Sequence, residues 1–101
     1  MYKVIYLYIL KCSDGTFYTG VTNNLDQRVI QHNSGLNPES YTYSRRPVVL
    51  VFNTFFNDFD QAFEWETKIK KWSKAKKQAL IDNDGELLKA LSKKDFSKRK
   101  G

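Results

Sequence analysis

The order of apolar and polar residues in the first part of the chain predicts a β-hairpin, and a further apolar run predicts a third strand. The run YKVIYLYILK (residues 2–11) is rich in β-branched and aromatic residues, which is typical of a buried strand. The segment SDG (residues 13–15) then indicates a tight turn, and TFYTGVT predicts the returning strand. The third strand, VVLVFNTFF (residues 48–56), opens directly after Pro47.

Capping residues mark the ends of three predicted helices. Asn23 or Asn24 precedes LDQRVIQHN, and this helix should end at Gly35, since glycine readily adopts the left-handed conformation that terminates helices. Asp58 should cap the helix DQAFEWETKIKKW, and Ser73 should cap KAKKQALID. A short helix, ELLKAL, is predicted beyond them.

The predicted order of elements, β-β-α-β-α-α, is typical of a small α+β domain with a three-stranded antiparallel sheet and flanking helices. We expect a single domain over residues 1–92 and a frayed basic tail over residues 93–101. The pattern does not determine which edge of the hairpin receives the third strand.

The length of the hairpin loop decides whether Tyr8 and Tyr18 share a face of the sheet. A two-residue turn would place the two tyrosines on opposite faces, because side chains alternate along a strand. A three-residue loop would pair Cys12 with Thr16 and place both tyrosines on one face. We predict the three-residue loop, in which Gly15 would supply the left-handed residue that such loops require.

Composition narrows the class of protein. The chain has 101 residues, of which 41% are hydrophobic and 15% aromatic, enough to bury a core and to make intrinsic disorder implausible. The single cysteine, Cys12, excludes an intramolecular disulfide framework and a cysteine zinc site. The apolar run from Val4 to Leu10 is too short to span a bilayer, so we expect a soluble, cytoplasmic protein without membrane contact.

The positive charge lies in one part of the chain. The net charge is +6, and residues 1–63 hold five basic and five acidic side chains, so the whole excess falls in residues 64–101. Its densest part runs from Lys68 to Lys77, with six lysines and no acidic residue. Such a segment on a folded domain favours nucleic acid as a partner, whereas the alternative is an ordinary solvated helix face.

Three residues near the hairpin and the first helix could carry chemistry. Gly20 lies inside a predicted strand, where glycine often marks the close approach of a ligand or of backbone. Arg28 and His32 are four residues apart and therefore project from one face of the first helix. The alternative is an ordinary amphipathic helix surface.

Glu66 occupies an apolar stripe of the second long helix, together with Ala62 and Ile69. A carboxylate in such a position must be paired or must bind a metal, since an isolated buried charge is costly. The alternative to a metal is an ion pair with Arg28. Glu64, by contrast, groups with lysines on the side expected to face solvent.

The spacing of these residues resembles that of the GIY-YIG nuclease family, in particular its small stand-alone members, which are related to an excision-repair endonuclease. The two signature tripeptides correspond to Tyr6-Leu7-Tyr8 and Tyr18-Thr19-Gly20. The family arginine, the following histidine or tyrosine, and the metal-binding glutamate fall on Arg28, His32 and Glu66. The resemblance covers roughly Val4 to Ile81.

This resemblance implies a metal-dependent endonuclease acting on DNA. Glu66 would hold a single Mg²⁺ or Mn²⁺, and Arg28 would bind the scissile phosphate. Tyr18 would serve as the base or activate the water, Tyr8 would orient the water or share the proton network, and His32 would bind phosphate or relay a proton. The resemblance leaves open which of the two tyrosines is the base. The alternative is a DNA- or RNA-binding module that keeps the fold without turnover, and a third hypothesis is a domain that docks an acidic protein.

The flanking nucleic acid would lie on the basic helix and on the polar loop before the third strand. Cleavage is expected to follow DNA structure rather than sequence, or to depend on a protein partner that supplies specificity, because no second domain is evident. The residues expected to contact nucleic acid are Tyr43, Arg45, Arg46, Lys68, Lys70, Lys71 and Lys74.

Overall fold

A computed structural model of the chain describes residues 4–83. Its sheet is antiparallel and three-stranded, in the order β2-β1-β3, and it confirms the predicted α+β fold. The third strand lies beside the first, which makes β1 the central strand. The elements in chain order are β1 (Ile5–Lys11), β2 (Phe17–Thr22), α1 (Leu25–Ser34), a 3-10 turn (Tyr43–Arg45), β3 (Val49–Phe56), α2 (Phe59–Lys70) and α3 (Lys74–Ile81).

The central position of β1 accounts for its uninterrupted apolar sequence. Leu7 and Ile9 point to one face of the sheet and Tyr8 and Leu10 to the other, and all four side chains are fully buried. On the Tyr8 face, Cys12 and Val48 complete a buried cluster, against which residues of α1 and the neighbouring strands pack.

The hairpin has the predicted three-residue loop. The Cys12 backbone N–H donates to the Thr16 carbonyl at 2.8 Å, and the Gly15 N–H donates to the Cys12 carbonyl at 3.0 Å. Gly15 has φ 86°, the left-handed conformation expected at this position. The resulting register pairs Leu10 with Tyr18, so the tyrosines at positions 8 and 18 lie on the same face.

The predicted N-terminal caps of the three helices and the glycine end of α1 are confirmed, whereas α2 ends at Lys70, two residues before the predicted end at Trp72. The side chains of Asn24, Asp58 and Ser73 each accept a hydrogen bond from a backbone N–H in the first turn of α1, α2 and α3. Gly35 ends α1 in the left-handed conformation, with φ 72°.

The chain divides into two compact units, of which the first ends at Lys71 and the second begins at Trp72. The first unit contains the sheet, α1 and α2, and the second contains α3. The predicted helix ELLKAL and the predicted tail lie outside the described residues, so the predicted domain limits stay a prediction. Among the described residues, no helix is long and apolar enough to cross a membrane.

Candidate active site

Tyr8 and Tyr18 meet on one face of the hairpin, with their ring centroids 6.4 Å apart. Tyr8 is fully buried and lies opposite Gly20 on β2. A Cβ atom at Gly20 would lie 2.6 Å from the Tyr8 hydroxyl oxygen and 2.7 Å from its Cζ. The close approach expected at Gly20 is therefore that of the Tyr8 ring, which requires a residue without a side chain there.

A chain of hydrogen bonds joins Tyr8 to the loop that follows α1. The Tyr8 hydroxyl lies 3.1 Å from Nε2 of His32, and the His32 Nδ1 lies 2.7 Å from Oγ1 of Thr42. Thr42 is 1% exposed, and its hydroxyl lies 3.0 Å from that of Ser40. The imidazole is therefore held at both nitrogens between a strand and a loop.

The environment shifts the pKa of both groups at the centre of this chain. Burial, with a smaller effect of the Tyr18 phenol, raises the pKa of Tyr8 to about 12, although the Arg28 guanidinium acts in the opposite direction. Burial, followed by the positive charge of Arg28, lowers the pKa of His32. At neutral pH, Tyr8 therefore keeps its proton and His32 is uncharged.

A cavity of about 320 Å³ opens beside these residues. Tyr18, Arg28 and His32 line one side of it, together with Gln31 of α1. Tyr18 is only partly buried, so its side chain borders a space that fully buried Tyr8 does not reach. The loop after α1 supplies the rest of the lining: Gly35, Leu36, Asn37, Ser40 and Thr42.

Glu66 lies on the buried face of α2 with Ala62 and Ile69, as the sequence pattern predicts. Its carboxylate charge contributes to the raised pKa of Tyr8, which places it in the same electrostatic environment as the hydrogen-bonded chain. Its ion-pair partner is Lys70, with Nζ 3.2 Å from Oε2, and not the Arg28 guanidinium considered as the alternative. Glu66 is 9% exposed, which makes it the buried carboxylate of this helix.

The exposed face of α2 carries a second, weaker pair. Glu64 lies 3.8 Å from Nζ of Lys68, and both side chains are largely exposed. The two glutamates of α2 therefore differ in burial while sharing the same spacing to a lysine four residues later. This contrast makes Glu64 a matched control for Glu66.

The donor atoms of the site limit the metal that it could hold. Within residues 4–83 no three His, Cys, Asp or Glu side chains cluster as metal ligands. Glu66 offers hard carboxylate oxygens, and Mg²⁺ or Mn²⁺ commonly takes one or two carboxylates and completes its shell with water and substrate phosphate. The residues present therefore fit a single hard cation at Glu66.

The loop residues expected to contact nucleic acid make contacts within the protein. Arg45 forms an ion pair with Asp14 in the hairpin loop, at 3.0 Å, and its guanidinium lies 3.9 Å from the centre of the Tyr41 ring. Tyr41 in turn stacks on Tyr18, with centroids 6.0 Å apart. Arg45 thus ties the loop to the hairpin and supports the position of Tyr18.

Arg46 is also engaged locally. Its Nε donates to the Tyr43 carbonyl at 2.7 Å, and its guanidinium lies 4.4 Å from the centre of the Tyr43 ring. On α2, the Nζ of Lys68 lies 4.8 Å from the centre of the Trp65 ring. Of the predicted basic contacts, Lys71 and Lys74 are exposed and form no ion pair with another described residue.

Four residues of the site were not singled out from the sequence. Thr42 and Ser40 continue the hydrogen-bonded chain, and Gln31 lines the cavity. Asn33 connects the end of α1 to Val48, the residue before β3, since its side chain accepts from the Val48 N–H at 2.7 Å and donates to the Val48 carbonyl at 3.0 Å. Gln31 could have been found because it directly precedes His32 on α1. Nothing in the sequence near Ser40 and Thr42 indicates their hydrogen-bond partners.

Comparisons with known proteins show which family the chain resembles. A family model described as the GIY-YIG catalytic domain matches residues 4–79. A UPF0213 protein of Syntrophus aciditrophicus is 46% identical over 81 residues, which cover 80% of this chain and 93% of that protein. A UPF0213 protein of Desulfotalea psychrophila is 42% identical over 76 residues, 75% of this chain and 69% of that protein.

Solved structures show the same resemblance. The solution NMR structure of a UPF0213 protein from Bacillus halodurans has a TM-score of 0.53 and 39% sequence identity, covering 81% of this chain and 86% of that one. The solution NMR structure of a protein from E. faecalis has a TM-score of 0.59 and 32% identity, covering 84% of this chain and 92% of that one. The names of these relatives give no substrate.

Proposed function

Because the chain belongs to the GIY-YIG catalytic domain family, a nuclease family, we propose that it is a metal-dependent endonuclease that hydrolyses phosphodiester bonds in DNA. The observation that carries this proposal is the gathering of four side chains around buried Tyr8. Tyr18 and His32 contact its ring or hydroxyl, and the charges of Arg28 and Glu66 act on its pKa. The cavity beside them gives a substrate access to Tyr18 and Arg28.

In the proposed reaction Arg28 binds the scissile phosphate. Its planar guanidinium can donate two parallel hydrogen bonds to phosphate oxygens, and its charge offsets the negative charge that grows during attack. Tyr18, which borders the same cavity, takes the proton of the attacking water. We assign the base to Tyr18 because it lines the cavity together with Arg28, whereas Tyr8 is fully buried and does not.

Tyr8 and His32 are proposed to position the side chains of the site through hydrogen bonds. Because the pKa of Tyr8 is about 12, its hydroxyl stays protonated and can donate to Nε2 of His32. The uncharged imidazole then donates from Nδ1 to the Thr42 hydroxyl. Each hydrogen bond from Tyr8 through His32 to Thr42 therefore has one donor and one acceptor. These residues therefore position the cavity wall and the Tyr18 ring that packs against them.

Glu66 is the residue proposed to hold a divalent cation. A bound Mg²⁺ or Mn²⁺ would stabilise the charge that develops on the phosphate and on the leaving oxygen. Glu66 is buried beside Lys70, so the lysine competes with the cation for the same carboxylate. The exposed lysines Lys71 and Lys74 are proposed to hold flanking DNA, while specificity comes from DNA structure or from a protein partner.

The test is cleavage of branched, flapped and single-stranded DNA with Mg²⁺, Mn²⁺ or EDTA, combined with one pair of variants. Glu66→Gln keeps size and shape but removes the anionic ligand, so cleavage should fall by about two orders of magnitude or more while DNA binding persists. Glu64→Gln removes the exposed carboxylate with the same spacing to a lysine, and it should cleave like the wild type.

Equal losses in the two variants would contradict the metal role of Glu66. Cleavage that continues in EDTA would contradict metal dependence. If the wild type binds DNA with strong salt dependence and cuts none of these substrates under any metal condition, the chain is a non-catalytic binding module instead.

A further inference from the structure

The cavity beside Arg28 is lined by more polar and apolar residues than the binding of a phosphate requires. Arg28 is the one cationic residue in its described lining, which also includes Gln31 and Asn37, whose side chains end in amides, and the apolar Leu36. An amide presents a donor and an acceptor side by side, which is the pattern that base edges complement. Hydrolysis as proposed above uses neither of the two amides.

Both amides have hydrogen-bonding groups to offer. The side chain of Gln31 is partly buried, and it forms no hydrogen bond with any other residue between positions 4 and 83. The Asn37 Oδ1 accepts from the Glu39 backbone N–H at 3.1 Å, which fixes the side chain and leaves its NH₂ group to donate. A ligand in the cavity can therefore satisfy both.

The volume and lining of the cavity suit one nucleoside. Its volume of about 320 Å³ is at the small end of the range for ligand pockets, which is about 300–1,000 Å³. Leu36 is 67% exposed at the rim, and the Tyr18 ring forms another part of the wall. Apolar and aromatic walls of this kind contact the face of a base, while amides contact its edge.

We propose that this cavity is a subsite for one unstacked nucleobase, recognised by Gln31 and Asn37, in the nucleotide next to the phosphate that Arg28 binds. The assignment of the phosphate rests on the proposed function, whereas the base contacts follow from the cavity itself. A base in a regular duplex is stacked and paired, so it must leave the helix to enter. The site therefore favours DNA in which the nucleotide beside the cut is unpaired.

The test is an NMR titration of the full chain in EDTA, so that no cleavage occurs. The probes are the four nucleoside 5′-monophosphates, ribose 5-phosphate and inorganic phosphate, and the signals are the side-chain NH₂ groups of Gln31 and Asn37. At least one nucleotide should shift both signals and bind about fivefold or more tightly than ribose 5-phosphate. Inorganic phosphate should leave both signals unchanged.

A matched pair of variants completes the test. Gln31→Ala should remove the preference for the nucleotide over ribose 5-phosphate, whereas Gln27→Ala, an exposed position one turn earlier on α1, should retain it. The inference is overturned if ribose 5-phosphate binds as tightly as all four nucleotides, or if Gln31→Ala keeps the full preference.

The titration separates this inference from the proposed function. Metal-dependent cleavage without any contribution of the base to binding would overturn the subsite alone. Base-dependent binding by a protein that cleaves no DNA would support the subsite and overturn the endonuclease proposal.

Discussion

At the scale of single residues, the site depends on the space around one buried phenol. Tyr8 lies against Gly20, with no room for a Cβ, and its hydroxyl reaches His32 on α1. Thr42 holds the other side of that imidazole from a fully buried position. Each of these contacts restricts the position of the next side chain. A small displacement of Tyr8 should therefore also displace His32 and Thr42, which line the cavity.

Gly20→Ala tests this packing. The added methyl would lie 2.6 Å from the Tyr8 hydroxyl oxygen, so the ring must move and its hydrogen bond to His32 should break. We expect a decrease of about 1–3 kcal/mol in the free energy of unfolding. The rate of DNA cleavage should fall by about 10–100-fold. The measurements are a cleavage assay and urea unfolding of the same variant.

Thr19→Val is the control for this substitution on the same strand. Its buried Oγ1 has no hydrogen-bond partner among the described residues, so replacing the hydroxyl by a methyl should preserve or raise stability. The packing argument fails if Gly20→Ala cleaves DNA as well as Thr19→Val does.

The lowered pKa of His32 predicts how stability depends on pH. Burial and the charge of Arg28 favour the neutral ring in the folded protein, so the folded-state pKa lies below the ordinary value of 6.5. The unfolded chain then binds the proton more readily. The contribution of His32 is therefore fully present above the ordinary pKa and is lost as the pH falls through the lowered one.

Urea unfolding of the wild type and of His32→Gln at about pH 7.5 and about pH 5 measures this effect. The wild type should lose more stability than the variant over this interval, because only the wild type contains His32. The carboxylates titrate in both proteins, so their effect cancels in the comparison. Identical losses in the two proteins would show that His32 titrates as it does in the unfolded chain.

At the scale of elements, the hairpin loop and the ends of α1 and α2 decide which side chains meet. The three-residue loop fixes the register that places Tyr8 and Tyr18 on one face. Asn33 connects the end of α1 to the start of β3, and the ion pair of Arg45 with Asp14 holds the intervening loop against the hairpin. On α2, a spacing of four residues brings a lysine to each glutamate.

Lys70→Gln tests competition between the lysine and the cation for Glu66. Removal of the ammonium at 3.2 Å should make the carboxylate more available, so half-maximal cleavage should need less Mn²⁺. We expect a decrease of about two- to fivefold, since a largely exposed lysine contributes little to a pair. The measurement is a Mn²⁺ titration of the cleavage rate.

Lys68→Gln removes the lysine of the exposed pair and should leave the Mn²⁺ requirement unchanged. A higher Mn²⁺ requirement in Lys70→Gln, together with weaker DNA binding, would instead show that Lys70 contacts the phosphate backbone.

At the scale of the whole molecule, charge is divided unevenly along the chain. Residues 1–63 carry no net charge, and residues 64–101 carry the excess of six positive charges. Two of these lysines already form ion pairs with glutamates of their own helix, Lys68 with Glu64 and Lys70 with Glu66. The electrostatic contribution to DNA binding should therefore fall on the lysines that lack such a pair.

The double variant Lys71→Gln and Lys74→Gln tests this distribution. The slope of log affinity against log salt concentration should decrease by about 0.7–0.9 for each phosphate that the variant no longer neutralises. Lys11→Gln, an exposed change at the end of β1, should keep the wild-type slope. An unchanged slope in the double variant would place the phosphate-binding residues elsewhere among the basic side chains.

The strands, the helix caps and the hairpin loop could all be predicted from the amino-acid sequence, because these features depend on residues close together in the chain. Gly15 and Gly35 have the left-handed conformations that their positions predict, and Asn24 caps α1. The spacing of Glu66 within α2 likewise predicted its burial, since helical periodicity fixes which residues share a face.

The partners of these side chains, by contrast, follow from the tertiary fold alone. Position 20 needs glycine because of a tyrosine on the neighbouring strand, and His32 meets Thr42 ten residues later in a loop. The edge of the hairpin at which β3 pairs, beside β1, also had no signal in the sequence. Such contacts depend on how distant segments pack, and packing selects among arrangements that local patterns leave equally possible.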